Sequence, residues 1–201
     1  MPGLTPMVRL LAEAVDYGLG CVSGIEPEAL SLPTPCAGWD LADLLWHLDD
    51  SLRALCEAPE RGVVGLVPES RSGAARAPSS PVAAVCARAR ELLAMWESGA
   101  SEGGVAVGGL PLERDVVAFV GAMEIAVHGW DVAEACGHRR PIPAELARTM
   151  LRWAPLVVDD GTRSALFAPA VPLPVGAGAS DRLVAYLGRR PGGAAPVASW
   201  V

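Results

Sequence analysis

Residues 111–136, PLERDVVAFVGAMEIAVHGWDVAEAC, are the stretch that decides the fold of this 201-residue chain. Apolar side chains occur on every side of the helical period, which predicts a helix surrounded by other helices. Gly137 follows directly and predicts the end of the helix, because glycine readily adopts the left-handed conformation found there. We therefore expect an all-α protein built around this central helix.

Local patterns predict further helices on both sides of the central one. Asp40 is a good N-cap and Asp43 completes a capping box, while Ser80 and Pro81 favour a helix start at that point. The predicted helices cover residues 7–23, 41–56, 80–97, 143–157 and 181–187. Loops are predicted for residues 58–79 and the proline-rich stretch 167–176, and a loop or small strand for residues 103–109. Together these elements predict one domain over residues 1–201, with a helical bundle at about 5–158 and a Pro/Gly-rich extension carrying a short helix at 159–201.

Composition excludes several classes of function. The net charge of −7 argues against a nucleic-acid-binding protein, which needs a basic surface for phosphates. All 16 basic residues are arginine, which excludes a phosphate-binding, Schiff-base or general-base lysine. The five cysteines form no CxxC pair, and the N-terminal residues lack the pattern of a signal peptide. We therefore expect a cytoplasmic protein with no membrane and no nucleic-acid partner, as a monomer or a homodimer.

The central helix contains an acid and a histidine that suggest a metal site. Glu124 and His128 are four residues apart and therefore project from one helical face. An ionised carboxylate in so apolar a segment is costly unless it is compensated, and a divalent cation would compensate it. His47 on the second helix would complete a set of two histidines and one carboxylate. Spacing alone leaves open a hydrogen-bonded polar cluster or side chains that point to solvent, and His138 is expected at a solvated helix end.

Four segments of the chain resemble a known family. They are PTPCAGWD at 33–40, LLWHL at 44–48, EIAVHGWDVA at 124–133 and DRLVAYLGR at 181–189. They are similar to segments of the actinobacterial mycothiol-dependent maleylpyruvate isomerase-like proteins, in the DinB-like metal-binding superfamily. The resemblance implies a DinB-like four-helix bundle with an additional C-terminal helix, and a metal, usually zinc, held by His47, Glu124 and His128. The chain resembles the shorter members, without the further C-terminal domain of the isomerases, so the fold and the metal are better supported than maleylpyruvate as substrate.

A metal with three protein ligands keeps an open coordination position, which is typical of catalytic sites. A low-molecular-weight thiol in that position, mycothiol if the resemblance holds, would be deprotonated and could attack a small-molecule electrophile. This predicts a thiol transferase or isomerase. The alternatives are a thiol-independent metal-dependent hydrolase, cyclase or isomerase in a specialised pathway, and a metal-binding protein without turnover. Zinc suits the ligands best, although nickel and iron also accept such a set.

Other residues near these positions are candidates for supporting roles. Asp131 lies three residues after His128 and is predicted to be catalytic, by orienting a histidine or binding the thiol cofactor, with a solvent-exposed carboxylate at the helix end as the alternative. Arg88 and Trp130 are predicted to bind the cofactor, with a solvated surface position and a core position as the alternatives. Cys36 is interpreted as structural, because no histidine is recognisably adjacent to it. Three tryptophans are expected to wall the pocket: Trp39, Trp46 and Trp130.

Overall fold

The structure, a computed structural model, describes residues 5–64, 80–97, 105–159, 163 and 167–192. These residues form an all-α domain, which confirms the predicted class. The α-helices are α1 (Pro6–Val22), α2 (Leu41–Arg61), α3 (Pro81–Glu97), α4 (Arg114–Ala135), α5 (Ala144–Trp153) and α6 (Ala179–Tyr186). Short 3-10 helices occupy Pro27–Ser31 and Ala154–Leu156.

Helix α4 occupies the centre of the bundle, as its apolar sequence predicts. Fifteen of its 22 residues are buried, and it packs against α1 on one side and α2 on another. The contact with α1 is close at two glycines: a Cβ at Gly129 would lie 3.2 Å from the Cα of Gly18. By length and composition α4 could cross a membrane, but 83% of its most apolar window is buried inside the protein. That burial is typical of the core helix of a soluble protein.

Helix α2 begins as predicted and ends later than predicted. The carboxylate of Asp40 accepts the backbone N–H of Asp43 at 2.9 Å, and the side chain of Asp43 accepts the backbone N–H of Asp40, which forms the capping box. The helix continues through Pro59 to Gly62, whose φ of 65° is left-handed. The predicted loop at 58–79 is therefore wrong for residues 58–61, where the fully buried Ala58 belongs to the core. Residues 65–79 of that predicted loop lie outside the described residues.

A small sheet combines a strand that follows α2 with two strands that precede α4. Strand β1 (Val63–Val64) runs parallel to β2 (Val105–Val107), and β2 is antiparallel to β3 (Leu110–Leu112). The turn at Gly108 and Gly109 has positive φ at both residues, which suits a tight hairpin. The predicted start of the central helix at Pro111 is therefore wrong, because Pro111 pairs with β2 and α4 begins at Arg114.

The end of α4 confirms the role predicted for Gly137. Its φ is 70°, its N–H donates to the carbonyl of Glu134 at 3.0 Å, and the N–H of His138 donates to the carbonyl of Ala133 at 2.8 Å. These two bonds form a Schellman motif, which satisfies carbonyls that a helix end leaves open. Beyond α5, residues 167–178 are irregular and lead into α6, which packs against α5. The division into a bundle and an extension stays a prediction.

Candidate metal centre

Helices α2 and α4 bring the three predicted ligands together. His47 Nε2 lies 2.8 Å from Glu124 Oε1, and His128 Nε2 lies 3.4 Å from the same oxygen. One ligand atom from each residue falls within 4.8 Å of the other two. The helical period aligns Glu124 with His128, whereas the packing of α2 on α4 supplies His47.

The imidazole of His128 is held by a second carboxylate. Its Nδ1 lies 3.0 Å from Asp131 Oδ2, and both side chains are buried. The carboxylate accepts a hydrogen bond from the Nδ1–H group, and Nε2 is thereby directed toward Glu124 and His47. Metal-binding histidines are commonly oriented in this way by a carboxylate at the other ring nitrogen.

Asp131 is itself bound by an arginine from the C-terminal part of the chain. Arg189 donates from Nη2 to Oδ2 at 2.9 Å and from Nε to Oδ1 at 3.3 Å. Burial by itself raises the pKa of Asp131, but the charge of Arg189 and the bond from His128 outweigh it and lower the pKa to about 2. Asp131 is therefore an ionised carboxylate whose charge is balanced inside the protein.

Cys36 lies on the Asp131 side of His128. Its thiol donates to Asp131 Oδ2 at 3.5 Å and lies 3.9 Å from His128 Nδ1, so the expectation that no histidine adjoins it is wrong. Cys36, His128 and Asp131 also have ligand atoms close enough to share a metal. Because the guanidinium of Arg189 already binds both oxygens of Asp131, a cation at that position would meet a positive charge. The geometry therefore favours the Nε2 side of His128 for a metal.

On the Nε2 side of His128, several side chains contact the carboxylate of Glu124. Besides the histidines, Ser51 Oγ donates to Glu124 Oε1 at 3.0 Å. Burial raises the pKa of Glu124, but the adjacent His128 and His47 outweigh it and hold that pKa well below its usual range. Burial lowers the pKa of His128, while Glu124 and Asp131 raise it well above its usual range. The centre therefore favours positive charge close to Glu124.

The donor set of this centre fits a divalent metal. Two imidazole nitrogens and one carboxylate oxygen are the ligands that catalytic zinc sites use, and iron or nickel also accept them. His47 and Glu124 are 32% and 22% exposed, so a small molecule can approach the site. The ion-pair partner of Asp131 is Arg189, whereas Glu124 is paired with two histidines, which are neutral when they bind a metal. A bound cation would supply the missing positive charge.

A cavity of about 140 Å³ adjoins the centre. Glu124 and His128 form its polar wall, and the other lining side chains are apolar: Val120, Met123, Val127, Val157, Val158, Phe167 and Leu187. The lining comes from one face of α4 and from residues that follow α5 and α6. The C-terminal part of the chain therefore helps to enclose the site.

The remaining predicted residues lie at varied positions. Arg88 Nε is 3.5 Å from Asp49 Oδ1 and its Nη1 is 2.9 Å from Glu91 Oε2, so its charge is engaged between α2 and α3. Trp130 is 4% exposed and belongs to the core. For both residues, a role in cofactor binding stays a prediction. Trp39 is nearer to the centre, with its ring centroid 4.8 Å from that of His47.

Two residues of the site were not predicted from the sequence. Ser51 is four residues after His47 on α2, so the helical period could have placed it on the same face. Arg189 is 58 residues from its partner Asp131, and its only signal was its place in the DRLVAYLGR segment. His138 is exposed at the end of α4, as its sequence context predicts.

The chain is similar to proteins of one known family. A family model described as Mycothiol maleylpyruvate isomerase N-terminal domain matches residues 11–133, which is more than half of the chain and includes all three candidate ligands. Two Mycobacterium tuberculosis proteins, Uncharacterized protein Rv0738 of strain H37Rv and Uncharacterized protein MT0763 of strain CDC 1551, are each 29% identical to it over 184 residues. Each alignment covers 88% of this chain and 93% of the relative. No solved structure matches the chain. The chain belongs to the mycothiol maleylpyruvate isomerase N-terminal domain family.

Proposed function

We propose that this protein is a metal-dependent enzyme that activates mycothiol for attack on a small electrophile. The observation that carries the proposal is the convergence of His47, Glu124 and His128 within 4.8 Å, with Glu124 and His128 in the wall of a partly open, mainly apolar cavity. A structural metal site would be closed by a fourth protein ligand, whereas three ligands leave room for a substrate. Zinc is the proposed metal, and nickel and iron are the alternatives for this donor set.

Each side chain of the centre has a separate task. His47, Glu124 and His128 would hold the metal, and Asp131 would position His128. The bound metal would supply a positive charge that lowers the pKa of a thiol, and the thiolate is the reactive nucleophile. The apolar lining would exclude water and hold the electrophile close to the sulfur.

The proposed reaction is reversible addition to an activated double bond. The thiolate forms a carbon–sulfur bond as the π bond of the alkene breaks, and the electron pair moves to the carbon next to an activating carbonyl. Rotation about the remaining single bond can precede the return of that pair, which restores the double bond and expels the thiolate. No oxidant or reductant is consumed, and the products are an isomerised alkene and the original thiol. Protonation of the carbanion instead would give a thioether, which is the transferase outcome.

Cobalt substitution tests the proposal directly. The full-length protein is loaded with Co²⁺ and titrated with mycothiol while its absorption spectrum is followed. We expect a new sulfur-to-cobalt charge-transfer band that saturates at one thiol per chain. The His128→Ala variant should give no band, and the His138→Ala variant should behave as wild type because His138 is exposed beyond the C-terminal end of α4.

Two other outcomes would contradict the proposal. Turnover of an electrophile without the charge-transfer band would indicate a thiol-independent hydrolase, cyclase or isomerase. Metal binding with neither band nor turnover would indicate a binding protein without catalysis. The genes that neighbour this one in its genome would then supply candidate substrates for the same assay.

A further inference from the structure

The cavity beside the metal centre is almost entirely apolar. Seven of its nine lining residues carry hydrocarbon or thioether side chains, and the two polar ones are Glu124 and His128. Three of the apolar residues come from α4, at the spacing of a single helical face: Val120, Met123 and Val127. Four come from later in the chain and close the opposite side: Val157, Val158, Phe167 and Leu187. A molecule in this cavity would exchange water for hydrocarbon on most of its surface.

The nearby arginines are engaged elsewhere. Arg163 donates from Nη1 to the backbone carbonyl of Tyr186 at 2.7 Å, and its guanidinium lies 4.7 Å from the centre of the Tyr186 ring. Arg189 is 3% exposed and bound to Asp131. Among the residues that the structure describes, the cavity lining contains no arginine. The His128 imidazole in the lining is already engaged by Glu124 and Asp131, and in the proposed complex the thiolate would occupy the open position of the metal. An anionic group would therefore lose its hydration without gaining an unengaged cationic partner, which is strongly unfavourable.

Glu124 makes the cavity still less suitable for an anion. Its carboxylate is part of the lining. A substrate carboxylate in the cavity would therefore lie beside another acidic group. A site that selects anionic substrates typically offers an arginine fork that binds both carboxylate oxygens.

We propose that the electrophile bound in this cavity is a small, uncharged and mainly apolar molecule, and that carboxylate-bearing electrophiles are poor substrates. This inference rests on the proposed function for its reaction, but the binding preference follows from the cavity alone. It separates this chain from enzymes whose substrate is a carboxylic acid, including the maleylpyruvate named in the description of its family.

Methionine methyl groups allow the binding preference to be measured inside the cavity. The full-length protein is labelled with ¹³C at its methionine methyls and titrated with toluene and with benzoate, a neutral and an anionic ligand of similar shape. We expect toluene to shift the Met123 resonance and to bind at least about tenfold more tightly than benzoate. Met150 is fully buried in α5, and its resonance should not move, which makes it the internal control.

A substitution at the edge of the cavity sharpens the test. Val120 lines the cavity and is 43% exposed, so Val120→Arg should fold and should place a cation at its mouth. We expect this variant to bind benzoate more tightly and toluene more weakly than wild type. Val116 is 36% exposed one turn earlier on the same helix and does not line the cavity, so Val116→Arg is the matched control and should retain the wild-type preference.

Measurements of turnover distinguish a failure of this inference from a failure of the proposed function. Dimethyl maleate and maleate share a carbon frame but differ in charge, and each is incubated with mycothiol and the zinc-loaded enzyme. Rates are divided by those of the uncatalysed thiol addition, and the neutral ester should show the larger acceleration by at least about tenfold. Preferred binding of benzoate at Met123, or a larger acceleration with maleate, would overturn the inference even if the cobalt band forms. Preferred toluene binding without a cobalt band would support the cavity preference and contradict only the thiol chemistry.

Discussion

The two ring nitrogens of His128 face two regions that each contain a carboxylate but differ in how its charge is balanced. At Nδ1, Asp131 is completely buried and its carboxylate is bound by Arg189. At Nε2, Glu124 is partly exposed and its carboxylate accepts bonds from a histidine and a serine. We refer to these as the closed side and the open side of His128.

The difference shows how one helix can contain both a structural ion pair and a candidate metal site. On the closed side, an arginine neutralises the acid, so the pair needs no ligand. On the open side, a cation from solution can reach Glu124 and complete the charge balance. The closed side also orients the imidazole that the open side uses, so the two regions act through a shared residue.

The largest expected effect comes from removing that shared residue. His128→Ala should reduce the bound metal from about one ion per chain to nearly none, because it deletes a ligand and releases its orienting carboxylate. Elemental analysis of the purified protein measures the ratio. The control is His138→Ala, which should retain full occupancy. Full occupancy in His128→Ala would show that the metal binds elsewhere.

Removing the ion pair on the closed side should affect the free energy of unfolding more than it affects metal binding. Arg189→Met leaves Asp131 buried without its cation, and we expect a loss of about 3–5 kcal/mol in the free energy of unfolding. Chemical denaturation of the metal-free protein measures it. Arg148 pairs with Glu145 on the exposed surface of α5, and Arg148→Met should change the same quantity by less than about 0.5 kcal/mol. Equal losses in the two variants would contradict the closed-side description.

Replacing the acid by its amide on each side of His128 compares the roles of Glu124 and Asp131 in metal binding. Glu124→Gln removes a charged ligand and should weaken metal affinity by more than about 100-fold, whereas Asp131→Asn should weaken it by about 10- to 100-fold by misorienting His128. Competition with a chromophoric chelator measures both affinities. The exposed Glu13 provides the control, since Glu13→Gln should leave the affinity unchanged. A larger effect from Asp131→Asn would indicate that the metal binds on the closed side.

The smallest effect is expected from the hydroxyl group on the open side. Ser51→Ala removes one hydrogen bond to Glu124, which is worth about 1 kcal/mol, so metal affinity should fall by less than about tenfold. Ser23→Ala is the control, because the Ser23 hydroxyl donates to the carbonyl of Gly20 at the exposed end of α1. The same chelator assay serves both variants. An effect of Ser51→Ala as large as that of Glu124→Gln would make Ser51 part of the ligand set.

Local sequence patterns predicted the starts and ends of helices correctly where the determining interaction spans only a few residues. The Asp40–Asp43 capping box, the start of α3 at Pro81 and the glycine end of α4 at Gly137 were all predicted correctly. The errors occurred where pairing or packing between distant segments decides the structure. Pro111 joins a strand because β2 is its neighbour, and the last turn of α2 is stabilised by burial of Ala58.

The sequence by itself determined that Glu124 and His128 share a helical face and that this helix is too apolar to lie outside the core. It also carried the family resemblance that pointed to His47. Only the tertiary structure decided which nitrogen of His128 is directed toward Glu124, because that choice depends on Asp131 being held by Arg189, 58 residues away. Helical periodicity acts over one or two turns, whereas a buried charge selects its partner from whatever segment the fold brings within contact distance.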